Sequence, residues 1–309
     1  MQLGFVSAIL ADQSFRHVMT TAKEIGYDCV EIMCWPVGKV ERRYAGVTHI
    51  DVDNLDDRAI AEIQQVVADT GVSISGLGYY PNPLSPKQEE SETAVRHIYK
   101  VLEGAHKLGI KQVNTFLGRD PGLSIDAQWN RLLDTWRPIV RRAEELGLRI
   151  GIENCPMLFS ENGWPGGLNI FNSPMVWRRT FNDIPSAALG INFDPSHLVW
   201  TFIDPVPPIY EFKDKLFHVH AKDARVDRDK LQECGILNPL GWHTPKLPGM
   251  GDCNWGSFFG ALSDVGYTGP VCVEVEDRAY EGSLEQRHRS LVQSYRYLSQ
   301  YVVKVGAAY

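Results

Sequence analysis

Along this chain, short apolar runs rich in β-branched residues alternate with stretches whose apolar positions recur every three or four residues. "LGFVSAI" (3–9) reads as a strand. Phe15, Val18, Met19, Ala22 and Ile25 then line one face of a helix that Gly26 closes. "YDCVEIMCW" (27–35) predicts a second strand, followed after a polar stretch by a helix around 56–70 ending at Gly71. "VSISGLGYY" (72–80) predicts a third strand, and the helix behind it carries Val95, Ile98, Val101, Leu102, Ala105 and Leu108. "KQVNTFLG" (111–118) predicts a fourth. Trp129, Leu132, Leu133, Trp136, Ile139 and Val140 mark the next helix, which Pro138 is expected to kink. Strands five to eight are read in "LRIGIEN" (148–154), "ALGINFDPSH" (188–197), "KLFHVHAKD" (215–223) and "GPVCVEVED" (269–277), with a last helix over roughly 284–303. Strands alternating with helices imply a parallel sheet with right-handed crossovers. At this length the expected closed form is a (β/α)8 TIM barrel, a single α/β domain over 1–309. The long connections, 36–55, 80–90, 155–172 and 222–253, all follow strands, which places them at the C-terminal mouth where such barrels keep their sites.

Polar residues interrupt this pattern at the strand ends. In "LFHVHAKDAR" (216–225), His218 and His220 sit two apart in an apolar strand, so both imidazoles face the same side. The fifth strand ends in Glu153–Asn154, the sixth in Asp194 with His197 three residues on, and the eighth carries Glu274 and Glu276. Four adjacent strands thus aim carboxylates and imidazoles at one volume. Carboxylates brought together repel, and a divalent cation resolves the conflict. Glu153, Asp194, His220 and Glu274 form an oxygen-rich, single-nitrogen set that suits Mn2+ best, with Mg2+, Co2+ or Zn2+ as substitutes. His220, nearer the strand's C-terminal end, is the expected ligand. His218, one pleat deeper, is expected to pack beneath it or hold a neighbouring carboxylate. A lone histidine in a strand is more often structural, and a glutamate at a strand end is usually solvated; four such residues on consecutive strand ends are harder to ascribe to chance.

Composition narrows the function classes. The 309 residues are 44% hydrophobic and 22% charged, with a formal net charge of −7 and no basic block, which disfavours a nucleic-acid partner. "MQLGFVSAILADQSF" has no basic leader region, and no apolar run of about 18 residues exists to span a membrane. The six cysteines form no CxxC pair, so a reduced, cytoplasmic protein is expected. Neither a P-loop nor a GxGxxG follows the first strand, so no nucleotide cofactor is expected. The mouth loops supply candidate substrate contacts: Tyr79, Tyr80 and Trp164 as stacking faces, His243 and Lys246 from "HTPKLPGMGD" (243–252), and Lys222, His197 and Glu276 beside the carboxylates.

"GIENCP" (151–156), "NFDPSHL" (192–198), "HVHAKD" (218–223) and "GYTGPVCVEVED" (266–277) resemble the xylose isomerase-like TIM-barrel superfamily, and the resemblance spans almost the whole chain. That group contains sugar isomerases and epimerases, inosose dehydratase and endonuclease IV. By resemblance to its ketose 3-epimerases, the metal ligands are Glu153, Asp194, His220 and Glu274, and His197 matches a residue that touches substrate oxygens. Endonuclease IV uses further histidines from strands two to four; "VEIMCW", "ISGLGYY" and "VNTFLG" hold none, so a three-metal DNA-repair site is not expected. The implied activity is isomerisation or epimerisation of a keto-sugar. Glu153 and Glu274 would move the proton next to the carbonyl through a metal-stabilised enediolate. A lyase or dehydratase on a keto-sugar or keto-inositol is the alternative, since it shares the first step. A sugar-binding barrel without catalysis would gain little from a buried anion cluster. Barrels of this group often pair, so a homodimer is the assembly to test.

Overall fold

The eight apolar runs become the staves of one closed parallel barrel. A computed structural model describes residues 1–38, 45–158, 166–236 and 241–302. Its strands are β1 (Gln2–Val6), β2 (Cys29–Met33), β3 (Ser73–Gly78), β4 (Gln112–Thr115), β5 (Arg149–Glu153), β6 (Leu189–Phe193), β7 (Leu216–Ala221), β8 (Asp223–Val226), β9 (His243–Lys246) and β10 (Pro270–Val273). Around the ring the order is β1 to β7 in sequence and then β10. Parallel pairing of β10 with β1, from Gln2 opposite Pro270 to Phe5 opposite Val273, closes it. The helices are α1 (Phe15–Ile25), α2 (Asp57–Thr70), α3 (Gln88–Leu108), α4 (Ile125–Leu146), α5 (Pro174–Asp183), α6 (Pro195–Trp200), α7 (Val206–Glu211), α8 (Arg228–Cys234), α9 (Trp255–Asp264) and α10 (Leu284–Leu298).

Local chemistry explains the boundaries. Ser14, Asp56 and Ser124 cap α1, α2 and α4 by accepting from backbone N–H groups three residues on. Gly26 and Gly71 end α1 and α2 at φ +106° and +70°, a left-handed conformation that costs glycine little. Pro138 lies inside α4, and the helix continues through it to Leu146. The eighth barrel strand stops at Val273, so Glu274 and Glu276 lie just beyond it.

The main core fills the space between barrel and helices, with Trp136 and Trp177 fully buried there. The inner face is unusually polar for a barrel interior: Glu31, Gln112, Asn114, Asn192, His218 and His220 are all buried. Small residues make room for them. A Cβ on Gly151 would lie 2.7 Å from both the Gln112 and the Asn114 amide. The connection after β7 is more structured than its sequence implied. It forms an antiparallel hairpin of β8 and β9, with α8 between them, over a second small core of Trp200, Ala224, Val226 and Trp242. Buried Asp223 anchors this insertion by accepting from the backbone of Gly249 and Cys253 and from the Trp255 indole.

Candidate active site

The expected strand-end residues converge at the C-terminal mouth. Ligand atoms of Glu153, Asp194, His220 and Glu274 all lie within 4.8 Å of one another. Each is held by its own element. Asn154, the residue after β5, exchanges two hydrogen bonds with the Asp194 backbone, donating to its carbonyl at 2.9 Å and accepting from its N–H at 2.7 Å. This clasp ties the end of β5 to the end of β6. Asp194 also caps α6: its Oδ1 accepts from Ser196 N, which leaves Oδ2 facing the cluster. Asn169 donates to the carbonyls of Glu153 and Cys155, fixing the backbone on which Glu153 stands.

His197 sits in α6 with Nε2 at 3.3 Å from Asp194 Oδ2 and 3.6 Å from Glu153 Oε1. The Trp200 indole donates to its Nδ1 at 3.2 Å. An indole N–H can only donate, so Nδ1 is the acceptor and Nε2 carries the proton toward the cluster. His220 Nδ1 points to the same place, 3.4 Å from Glu153 Oε1 and 3.7 Å from Glu274 Oε2. Lys222, 2% exposed, threads between the carboxylates. Its ammonium lies 3.1 Å from Asp194 Oδ2 and 3.0 Å from Glu276, and it hydrogen-bonds Glu274.

Four buried atoms aimed into this cluster have no hydrogen-bond partner: Glu153 Oε1, Asp194 Oδ2, His197 Nε2 and His220 Nδ1. Leaving such groups unsatisfied is costly. A divalent cation would satisfy the lone pairs of Glu153, Asp194 and His220 together, with the protonated His197 Nε2 left as a donor beside it, so the residues present fit a metal. Without one, the protein's own charges share the load. Burial raises the pKa of Glu153, but the charge of His220, the nearby His197 and His220 ring nitrogens and the charge of Lys222 outweigh it and hold the carboxyl well below its usual range. Burial pushes Glu274 up to about 8, Lys222 only partly opposing. Burial also works against charge on His220 and Lys222, yet the surrounding carboxylates hold both well above their ordinary values.

A cavity of about 610 Å³ opens above the cluster, lined by Tyr80, His197, Trp200, His243, Glu276 and Arg278 among others. His243 stacks on Trp200 with ring centroids 4.2 Å apart, and burial holds its pKa down to about 4. Of the expected loop contacts, Lys222, His197, His243 and Glu276 line this cavity. Lys246 is drawn away to an ion pair with Asp277 at 3.2 Å, and Tyr79 packs edge-on against Trp35 and His97. Trp164 lies outside the described residues.

Sequence reading missed what stands beneath His220. Glu31 of β2, 0% exposed, takes a 2.7 Å hydrogen bond from His220 Nε2 and another from the Tyr80 hydroxyl. Its only signal in the sequence is a single carboxylate in the apolar run "CVEIM" (29–33). His218 takes the deeper structural place expected of it: Nδ1 meets Asn192 Oδ1 at 3.0 Å and Nε2 meets Ser75 Oγ at 3.1 Å.

Comparison with known proteins agrees with this architecture. An uncharacterised protein of Bacillus subtilis, YfiH, is 25% identical over 312 residues, covering 90% of this chain and 93% of its own length. An inosose dehydratase of Bacillus thuringiensis is 24% identical over 205 residues, 62% of this chain and 64% of the dehydratase. The crystal structure of a D-psicose 3-epimerase in the presence of D-fructose superposes with a TM-score of 0.71, covering 98% of this chain and 99% of the epimerase. At 15% identity that likeness is one of fold. A family model described as xylose isomerase-like TIM barrel matches residues 19–301, and the chain belongs to that family.

Proposed function

We propose that this protein is a metal-dependent isomerase or epimerase of a keto-sugar, with Glu153, Asp194, His220 and Glu274 as ligands of one divalent ion, Mn2+ by preference. The observation that carries the reading is the set of buried, unpartnered atoms of Glu153, Asp194 and His220, which converge with Glu274 from four strand ends. A bound divalent ion supplies Lewis acidity beside a carbonyl and its neighbouring hydroxyl, which makes the adjacent C–H proton removable. The chain's residues do the rest. His197 offers its Nε2–H to a substrate oxygen, and the Lys222 ammonium offers a positively charged donor beside it. Glu153 and Glu274 stand on β5 and just after β10, with β6 and β7 between them in the ring. One carboxylate takes the carbon-bound proton and the other returns it. Return to the opposite face gives an epimer; return to the neighbouring carbon gives an aldose. The Trp200–His243 stack and Tyr80 supply flat surfaces for the sugar's C–H face.

The test is solvent deuterium wash-in on candidate keto-sugars, with the protein first stripped by chelator and then titrated with Mn2+. Exchange should require the ion and fall by about 10²- to 10⁴-fold in Glu153→Gln. Exchange without metal, or at an undiminished rate in the variant, overturns the proposal. Similarity to an inosose dehydratase supports a second reading, in which the same proton removal is followed by loss of a β-hydroxyl. A product lighter by one water identifies that course; an unchanged mass identifies the first.

A further inference from the structure

We infer that Glu31 is the positioning residue of the site: from the far side of the barrel its carboxylate grips the Nε2–H of His220 and so presents Nδ1 to the cation. This rests on the metal reading above and adds a residue that neither the ligand set nor the cavity wall contains. Glu31 is not among the residues lining the cavity, so it acts through His220 and does not touch substrate.

The geometry is specific. Around the ring β2 and β7 are separated by β1 and β10, so Glu31 reaches across the barrel axis to His220. Its Oε2 lies 2.7 Å from His220 Nε2 and 3.6 Å from His218 Nε2, while Oε1 accepts from the Tyr80 hydroxyl. The same nitrogen also lies 3.0 Å from the Asn192 amide nitrogen and 3.3 Å from the Tyr80 hydroxyl. The Glu31 contact is the shortest of the three, and an ionised carboxylate can only accept, so Nε2 is assigned the proton. That leaves Nδ1 to face Glu153 and Glu274, where it has no hydrogen-bond partner. A carboxylate that orients a metal-bound imidazole in this way fixes both the ring angle and the nitrogen it offers.

The surroundings hold Glu31 in turn. Gly78 on β3 gives it space: a Cβ there would lie 2.6 Å from Glu31 Oε1 and 3.0 Å from the Met33 methyl. Asn192 braces the other side, donating to the Tyr80 oxygen at 3.1 Å while its own oxygen meets His218 Nδ1 at 3.0 Å. An anion this deep is expensive to bury. Aliphatic packing would fill the same volume at lower cost, so its retention needs a reason beyond filling the barrel.

The experiment uses the full chain stripped by chelator. Mn2+ and Zn2+ are titrated calorimetrically into wild type, Glu31→Gln and Gly78→Ala, with thermal unfolding recorded for each. Glu31→Gln keeps the shape and removes the charge; it should weaken both ions by about 10- to 100-fold in a protein that still folds. Gly78→Ala keeps the charge and displaces the carboxylate; it should weaken them in the same direction. Nitrogen-15 spectra of histidine-labelled protein add a readout independent of activity: a slowly exchanging His220 Nε2–H in wild type, lost in Glu31→Gln. Wild-type affinity in folded Glu31→Gln, or no protected Nε2–H in wild type, overturns the role of Glu31 alone. If wild type binds neither ion, the metal reading falls as well. Should Glu31→Gln fail to fold, Gly78→Ala and the wild-type spectrum decide.

Discussion

At the scale of single residues, the site is an exercise in charge compensation. Lys222 is nine-tenths and more buried among Asp194, Glu274 and Glu276. Removing one partner from a buried ionic group strands the others. Lys222→Met should therefore destabilise the metal-free protein by about 3–5 kcal/mol, measured by urea unfolding in chelator. His243 gives a pH signature of its own. Burial, and then the neighbouring His197, lowers its pKa from 6.5 to about 4. The unfolded chain binds that proton more readily than the folded one. The stabilisation is thus complete above the unfolded value of 6.5 and is lost as pH falls through about 4. His243→Phe, which keeps a ring against Trp200, removes this dependence. The stability gap between wild type and variant should shift against wild type as unfolding is followed from pH 7 down to pH 4.

At the scale of elements, close backbone approach sets the limits of substitution. A Cβ on Gly4 of β1 would lie 2.5 Å from the Cys29 carbonyl and 2.7 and 2.9 Å from the Cys29 and Cys272 sulfurs. Neighbouring backbone cannot yield as a side chain can, so Gly4→Ala should cost about 1–3 kcal/mol or more, seen as a lower urea midpoint. Much of this level was legible in the sequence. The barrel strands announce themselves as apolar runs, and the helices as periodic faces stopped by glycines such as Gly26 and Gly71. The β8–β9 hairpin was not legible, because "DARV" and "HTPK" are short, polar and separated by a helix, so neither shows alternation long enough to read. The strand-end cluster was legible because barrel topology puts residues at equal height wherever strands end. Glu31 was not: a carboxylate inside an apolar strand gains meaning only from what lies across the axis, and sequence order says nothing of that.

At the scale of the whole molecule, ion binding should appear as stability. A ligand at about 100 times its dissociation constant adds about 2.7 kcal/mol to a fold that alone can bind it. For a chain of this size the gain amounts to a rise in melting temperature on the order of 5 °C. Chelator should reverse it in wild type, and in Asp194→Asn the rise should shrink or vanish; differential scanning calorimetry checks both. No helix among the described residues is long and apolar enough to cross a membrane.

The lysine lodged among the acids has one more consequence. A cage that already carries its own positive charge has no need to wait for a mineral partner before the polypeptide assumes its shape. On the proposed metal dependence, assembly and activation become separate events: a barrel made during metal scarcity can persist intact, with its chemistry withheld until supply returns.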